Sequence, residues 1–282
     1  MRIELTGRHP FLRRTTPVHH EADDAGLVLD ARGLGFASPL ELTAIPALAH
    51  TAQELGASTA ILVPANDDVT SYMQRMNVFR LLPADTSVVG HLPDQQRRDR
   101  SAVLIEVFGL TPNTEGELAE RIGDLAVAHL GPSEGRLFFQ SAGELIDNAI
   151  SHGCSDIGAF AAAQTYTGKT SRRRGLEFAV CDTGIGVHRH LKRNPRHGEI
   201  PNAESALDLA TRKGVTGTPD RRGNGLYDLF NVANAGGYSR LVMRSGKGLA
   251  NIVARDDDRR RAFTAVADPI RGTWAWLRVR HR

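Results

Sequence analysis

Three short stretches in the second half of this 282-residue chain constrain its fold through the order in which they occur. The first, "ELIDNAISHG" at residues 144–153, has a helical pattern, and the second, "DTGIG" at residues 182–186, ends a β-rich run. The third, "GNGL" at residues 223–226, opens another helical pattern, and a strand pattern, "RGTWAWLRVRH", follows it. We therefore expect a polar helix, a strand end and a glycine-rich turn to build one site.

The polar residues of the first stretch share one face of an amphipathic helix. At about 100° per residue, Asn148 lies about 40° from Glu144 on the helical wheel, and Ser151 lies about 20° away on the other side. The opposite face is apolar, and we expect it to be buried; it consists of Phe138, Ala142, Leu145, Ile146 and Ala149. Taken alone, this pattern is typical of a surface helix with a solvated stripe.

The second and third stretches combine an acid with glycines. Asp182 follows the strand pattern "LEFAV". A carboxylate there can accept a hydrogen bond from an amino group, while Gly184 and Gly186 let the backbone approach a flat ligand. Gly223 and Gly225 precede a helix, whose free N–H groups and positive end favour a phosphate. Each pattern alone is also typical of an ordinary turn. The prediction of a nucleotide site therefore rests on the order of the three stretches.

In this order the stretches resemble the sequence boxes of the GHKL ATPase superfamily, which includes gyrases, heat-shock chaperones, histidine kinases and mismatch-repair ATPases. "ELIDNAISHG" is similar to the N box, "DTGIG" and "GNGL" are similar to the two glycine boxes, and "GT" opens the last strand. The resemblance covers residues 115–282. It implies an α/β sandwich with a mixed sheet and with helices on one face.

The resemblance also implies a role for each matching residue. Asn148 would ligate Mg²⁺, which bridges the nucleotide phosphates. Asp182 would bind the adenine amino group of ATP, and Thr273 would support it from the last strand. The other matching positions would shape the adenine pocket (Gly184 and Gly186) or hold phosphate through the backbone (Gly223, Gly225 and the amide of Leu226). Residues 187–223 would form the ATP lid, with Arg221 and Arg222 among its basic residues.

Glu144 is the candidate catalytic base, four residues before Asn148. In hydrolytic members of the superfamily this glutamate activates water. In the anti-sigma-factor serine kinases, to which "ELIDNAISHG" is most similar, it is placed to activate a protein hydroxyl. A slow ATPase and a serine/threonine kinase therefore both stay open, as does a non-catalytic interaction module gated by ATP. A histidine kinase-like region fits less well, since no helix pair bearing a phosphoacceptor histidine is predicted before the N box.

The first half alternates strand and helix patterns and predicts a small α/β unit. Ser38 is a candidate helix N-cap, with Pro39 at the first helical position. Residues 26–83, which include "LVLDARGLGFASPLEL", resemble the STAS domain of anti-sigma-factor antagonists. Leu40 occupies the family's phosphoacceptor position, so the resemblance implies an interaction or regulatory module. We predict a STAS-like domain over residues 1–112 and an ATP-binding domain over residues 113–282.

Two further strand features are predicted. A strand at residues 102–108 lies before the division, and "YSRLVMRSGKG" at residues 238–248 forms a hairpin.

Charge and composition narrow the choice of partners. The 35 Lys and Arg residues nearly balance the 32 Asp and Glu residues, giving a net charge of +3, which argues against nucleic acid or a membrane as partner. Two cysteines without CxxC spacing support neither a disulfide framework nor a zinc site. The first residues lack the apolar segment that is typical of a signal peptide, and no apolar run approaches the roughly 20 residues of a membrane span. We expect a cytoplasmic protein that binds ATP, Mg²⁺ and a regulatory protein; a homo-oligomer is compatible with the sequence.

Overall fold

A computed structural model describes most of the chain as a mixed α/β protein. The described residues are 1–6, 26–94, 99–111, 113–151, 157–167, 174–212, 214–215, 238–255 and 258–280. Within them the strands form two sheets, one of four strands and one of five.

The four-stranded sheet belongs to the first part of the chain and is parallel throughout. Its strands are β1 (Arg2–Glu4), β2 (Leu27–Asp30), β3 (Thr59–Leu62) and β4 (Ser87–Val89), in the order β1-β2-β3-β4. Two helices follow strands of this sheet, α1 (Pro39–Glu54) after β2 and α2 (Asp67–Arg75) after β3, and Phe79–Leu81 adds a 3-10 turn. The predicted small α/β unit is therefore present, while its identity as a STAS domain stays a prediction.

Helix α1 begins where the sequence predicts, with Ser38 as its N-cap. The Glu41 carboxylate accepts a hydrogen bond of 2.9 Å from the Ser38 backbone amide and a second one from the Ser38 hydroxyl. A glutamate three residues after the cap satisfies a donor that the first helical turn leaves free. Pro39 at the first helical position fixes φ without loss of an intrahelical hydrogen bond.

The five-stranded sheet is antiparallel, in the order β5-β6-β7-β9-β8. Its strands are β5 (Leu104–Leu110), β6 (Ala159–Tyr166), β7 (Gly175–Asp182), β8 (Tyr238–Arg255) and β9 (Asp258–Arg280). The predicted mixed sheet therefore differs from the observed one, since parallel pairing among the described strands is confined to the first sheet. The connections from β6 to β7 and from β8 to β9 are too short for a parallel crossover, so each of these pairs is antiparallel.

Strand β5 joins the two parts of the chain. The predicted division at residue 112 groups this strand with the first half, yet it pairs with β6 of the second sheet, from Leu104↔Gln164 to Leu110↔Ala159. The backbone amide of Val107 also donates to the carbonyl of Met76, which follows α2, at 3.0 Å.

The predicted hairpin at residues 238–248 is wrong, because these residues belong to the single strand β8. These residues run as one strand into Arg255, and their partner is β9 rather than each other. The pairing register shifts on both sides of Gly246, whose φ is 56°. A glycine with positive φ accommodates an irregularity in the ladder here, where the sequence alone favours a turn.

Helices cover both faces of the five-stranded sheet, and not one face as predicted, because a helix of the first part packs on the second face. On one face, α3 (Glu115–Leu130) and α4 (Pro132–Ser151) pack against residues such as Phe178, Val180 and Leu277. On the other face, α1 packs against Cys181, Trp274 and Trp276 while also contacting the parallel sheet. Helix α1 is therefore enclosed between two sheets, which accounts for a sequence that is apolar on all sides.

Polar contacts also cross between the two parts. The Thr43 hydroxyl of α1 lies 3.3 Å from the Cys181 sulfur, and the Tyr72 hydroxyl of α2 donates to Gln164 at 2.6 Å. Glu106 of β5 forms ion pairs with Arg75 of α2 and with Arg121 of α3. Burial raises the pKa of Glu106, but the hydrogen bonds from the two arginines outweigh it and hold the pKa below its usual value. Buried and ionic contacts thus make the two parts one packed unit.

Candidate functional site

The carboxylate of Asp182 lies at the end of β7, buried to 4% exposure. The Gly184 backbone amide donates to Asp182 Oδ1 at 2.9 Å, and the Thr273 backbone donates a second hydrogen bond to the carboxylate. Burial raises the pKa of Asp182 to about 7, against the lowering effect of these two hydrogen bonds. A further hydrogen-bond donor would therefore stabilise the ionised form of this carboxylate.

Two glycines allow the chain to pass closely around this acid. Gly272 has a φ of 76°, and a Cβ there would overlap the Asp182 carbonyl and lie 2.6 Å from Oδ1. Gly186 has a φ of 75°, and a Cβ there would lie 2.7 Å from the Ser245 hydroxyl oxygen and 3.1 Å from the Gly272 carbonyl. Side chains at either position would displace the backbone around Asp182. These close contacts around Gly186 are compatible with its predicted role in shaping the pocket.

Thr273 lies beside Asp182 because β9 pairs directly with β7, in a register that places Cys181 opposite Trp274. Strand alternation puts the side chains of Asp182 and Thr273 on the sheet face that α3 and α4 cover, together with Val180 and Ala275. The two predicted base-binding residues are therefore brought together by strand order, although 90 positions of sequence separate them.

Ser245 is a residue of this site that sequence reasoning missed. It lies on β8 opposite Thr273, is 2% exposed, and accepts a hydrogen bond from the Val187 amide at 2.8 Å. Its hydroxyl donates to the Gly272 carbonyl at 3.1 Å and lies 3.3 Å from the Thr273 hydroxyl. A serine within a strand has no local pattern that marks it as a site residue, so only the pairing of β8 with β9 identifies it.

Helix α4 carries Glu144 and Asn148 on the face predicted from the helical wheel. Both side chains are half-buried, whereas the five apolar residues predicted to face the core are all buried: Phe138, Ala142, Leu145, Ile146 and Ala149. The Asn148 side-chain amide donates to the Glu144 backbone carbonyl at 2.7 Å. This hydrogen bond uses the Asn148 nitrogen and leaves Oδ1 as the acceptor of that side chain.

Asp147 differs from Glu144 and Asn148 on the same helix. Its side chain is exposed, and its carboxylate accepts a hydrogen bond of 2.9 Å from the Ser151 hydroxyl one turn later. This contact is a local interaction on the surface of α4.

The segment after Gly186 includes two helices, α5 (Gly186–Lys192) and α6 (Ala203–Ala210), with a 3-10 turn at Pro195–His197. It has a small core of its own, formed by Leu191, Ile200, Ala206 and Ala210. The predicted phosphate-binding residues Gly223, Gly225 and Leu226, and the lid residues Arg221 and Arg222, lie outside the described residues. The described part of the predicted lid is thus a compact helical segment that starts at the Asp182 site.

Acidic, histidine and cysteine side chains do not cluster in the described ranges, and the helices there are short or polar. No cluster of three or more His, Cys, Asp or Glu side chains there could hold a metal ion. Within the same ranges, each helix is too short or too polar to cross a membrane. Burial raises the pKa of the Cys181 thiol above its usual value, in accordance with a packed core position.

Comparisons with known proteins find similarity among solved structures. No protein-family model matches the sequence, and no curated protein does so. Among solved structures, the chain is similar to a topoisomerase IV ATP-binding domain of Francisella tularensis in complex with a small-molecule inhibitor. The match has a TM-score of 0.26 and 12% sequence identity, and it covers 63% of this chain and 42% of that one. The chain thus spans less than half the length of the structure that it matches.

Proposed function

We propose that this protein binds ATP together with Mg²⁺ at the end of the five-stranded sheet, as a regulatory protein of the GHKL class. The observation that carries the proposal is the buried Asp182 carboxylate, which the amides of Gly184 and Thr273 hold in place. A buried acid that takes two backbone donors is suited to a third donor from a ligand, and the amino group of adenine is such a donor.

Asn148 fits the part of a magnesium ligand. Mg²⁺ prefers oxygen ligands, and the hydrogen bond from Asn148 to the Glu144 carbonyl turns the amide oxygen away from its own helix backbone. When bound, Mg²⁺ would neutralise charge on the nucleotide phosphates. Asn148 would be a neutral ligand of the metal, and Asp182 would bind the amino group of the base.

Glu144 would act as the catalytic base in either of two reactions. It would accept a proton from water or from the Ser or Thr hydroxyl of a partner, while that oxygen bonds to the γ-phosphorus and ADP leaves with the bridging oxygen. Its half-buried position, one helical turn before Asn148, supports this role. A positioned base contributes about 10²- to 10⁴-fold to such a step.

Nucleotide binding is tested by the affinity of the full chain for Mg-ATP. We expect Asp182→Asn and Asn148→Ala each to weaken binding roughly 5- to 150-fold, because each leaves a polar group of the complex without its partner. Asp147→Asn is the matched control on α4, since its side chain is exposed and contacts Ser151. Unchanged affinity in both site variants contradicts the proposal.

Hydrolysis and phosphate transfer are separated by following labelled γ-phosphate. Release of phosphate by the purified protein that disappears in Glu144→Ala favours the ATPase. Transfer of the label to a co-expressed protein, with little release, favours the kinase. Binding of ATP with neither reaction favours a non-catalytic module gated by ATP.

The first part of the chain would serve as the interaction or regulatory module. Ser38 is buried to 1% exposure, and its amide and hydroxyl are both bonded to Glu41, which opposes a phosphorylation site at this serine. Helix α1 packs on the reverse side of β7, whose last residue is Asp182. A protein partner bound to the first part would therefore act on an element next to the nucleotide site.

A further inference from the structure

We propose that Ser245 is a positioning residue that fixes the proton of Thr273, so that the base pocket presents acceptors and selects a purine with an amino group. The inference rests on the proposed nucleotide site and deepens it. Ser245 itself lies behind Thr273 on the neighbouring strand and acts through it.

The hydroxyl of Ser245 has three partners, one on helix α5 and two on strand β9. The Val187 amide, in the first turn of α5, lies 2.8 Å from Oγ; the Gly272 carbonyl of β9 lies 3.1 Å away, and the Thr273 hydroxyl lies 3.3 Å away. At 2% exposure, Ser245 is shielded from solvent that could substitute for these partners.

The chemistry of the partners determines the direction of each hydrogen bond. A hydroxyl offers one donor and two acceptor positions, a backbone amide only donates, and a carbonyl only accepts. Ser245 must therefore accept from Val187 and donate its proton to Gly272. Its remaining capacity is an acceptor position, which takes the proton of Thr273.

Thr273 consequently turns a lone pair, and not a proton, toward the pocket that it shares with Asp182. An ionised Asp182 also accepts, so two neighbouring groups both require donors from the ligand. An exocyclic amino group has two N–H donors and satisfies this pair, whereas a 6-oxo purine places a third acceptor against them. Leaving such groups unpaired is expected to weaken binding roughly 5- to 150-fold.

Removal of the Ser245 hydroxyl frees the Thr273 proton to rotate. In Ser245→Ala, Thr273 can donate to a 6-oxo group, so the penalty against the oxo purine falls. The ratio of the two affinities reports this change, whereas a general loss of pocket structure weakens both ligands together.

The test compares Mg-ATP with Mg-ITP, which carries an oxygen in place of the 6-amino group. Binding is measured for the full chain, Ser245→Ala and the matched control Ser239→Ala, a buried serine on the same strand and the same sheet face. We expect the wild-type protein and Ser239→Ala to prefer ATP at least 5-fold, and Ser245→Ala to lose most of that preference.

The outcomes separate this inference from the proposed function. A wild-type protein that does not bind ATP overturns the nucleotide site itself. A wild-type protein that binds ATP while Ser245→Ala keeps the full preference overturns only the role of Ser245. If Ser245→Ala does not fold, Thr273→Val takes its place, since it removes the acceptor without a change in size; an unchanged preference in that variant also overturns the proposal.

Discussion

The side-chain amide of Asn148 donates a 2.7 Å hydrogen bond to the backbone carbonyl of Glu144, one turn earlier on the same helix. The bond ties the proposed metal ligand to the residue that carries the proposed base. It also sets the orientation of the Asn148 amide, because only the nitrogen of that group can donate. The two residues therefore act as a positioned pair rather than as independent polar groups.

This pairing predicts the effect of Asn148→Asp. A carboxylate is a stronger magnesium ligand, but it cannot donate to the Glu144 carbonyl and would lie against it as a second acceptor. We expect Mg-ATP affinity, measured by calorimetry, to fall roughly 5- to 150-fold. Tighter binding in this variant would show that charge, and not orientation, governs the metal site.

Nucleotide binding is expected to depend on pH through Asp182. Burial raises the pKa of this carboxyl from its ordinary value of 3.8 to about 7, and the ligand's amino group favours the ionised form. Affinity should therefore rise as pH increases from about 6 to about 8, with release of a proton on binding. Calorimetry in buffers of different ionisation enthalpy measures that proton. In Asp182→Asn the pH dependence of affinity should be lost. If it persists in this variant, another group is responsible for it.

The same raised pKa predicts a pH-dependent stability. Between the ordinary pKa of 3.8 and the folded pKa of about 7, the folded state binds more protons at Asp182 than the unfolded state does. The contribution of Asp182 to the free energy of unfolding therefore decreases as pH rises through this window. Chemical denaturation at several pH values should show a steeper fall in the wild type than in Asp182→Asn, and equal slopes contradict the burial effect.

Gly272 is predicted to tolerate no side chain. Gly272→Ala places a Cβ at a φ of 76° and against the carbonyl of Asp182, so unfolding free energy should fall by more than about 1 kcal/mol and nucleotide binding should weaken. Gly143→Ala on α4 is the control, since a Cβ there meets no atom within 4 Å. That substitution should stabilise the helix by roughly 0.5–1 kcal/mol. Denaturant unfolding distinguishes the two.

The second part of the chain is predicted not to fold without the first. A fragment of residues 99–282 would expose the sheet face that α1 covers, including Cys181, Trp274 and Trp276. We expect it to aggregate or to bind a hydrophobic dye, as judged by size-exclusion chromatography and dye fluorescence, and co-expression of residues 1–98 should restore a soluble complex. A monodisperse, cooperatively unfolding fragment would show that the α1 contact is dispensable.

Local sequence patterns predicted several elements of this fold. The 3.6-residue period of α4 identified its buried face, and Ser38 followed by Pro39 placed the start of α1. The β-rich run "LEFAV" before "DTGIG" placed Asp182 at the end of β7. These signals depend on neighbours within about four residues, so a single sequence is sufficient to read them.

Tertiary structure decided the contacts between distant segments. Strand β9 inserts between β7 and β8, which brings Thr273 beside Asp182 and sets Ser245 behind Thr273. Likewise, α1 is buried between two sheets, and β5 pairs with β6 across the predicted division of the chain. Strand order and layer packing depend on side chains that are tens of residues apart, and no local period encodes them. The sequence by itself thus determined candidates such as Asp182 and Thr273, whereas strand pairing decided that these two meet and added Ser245 to them.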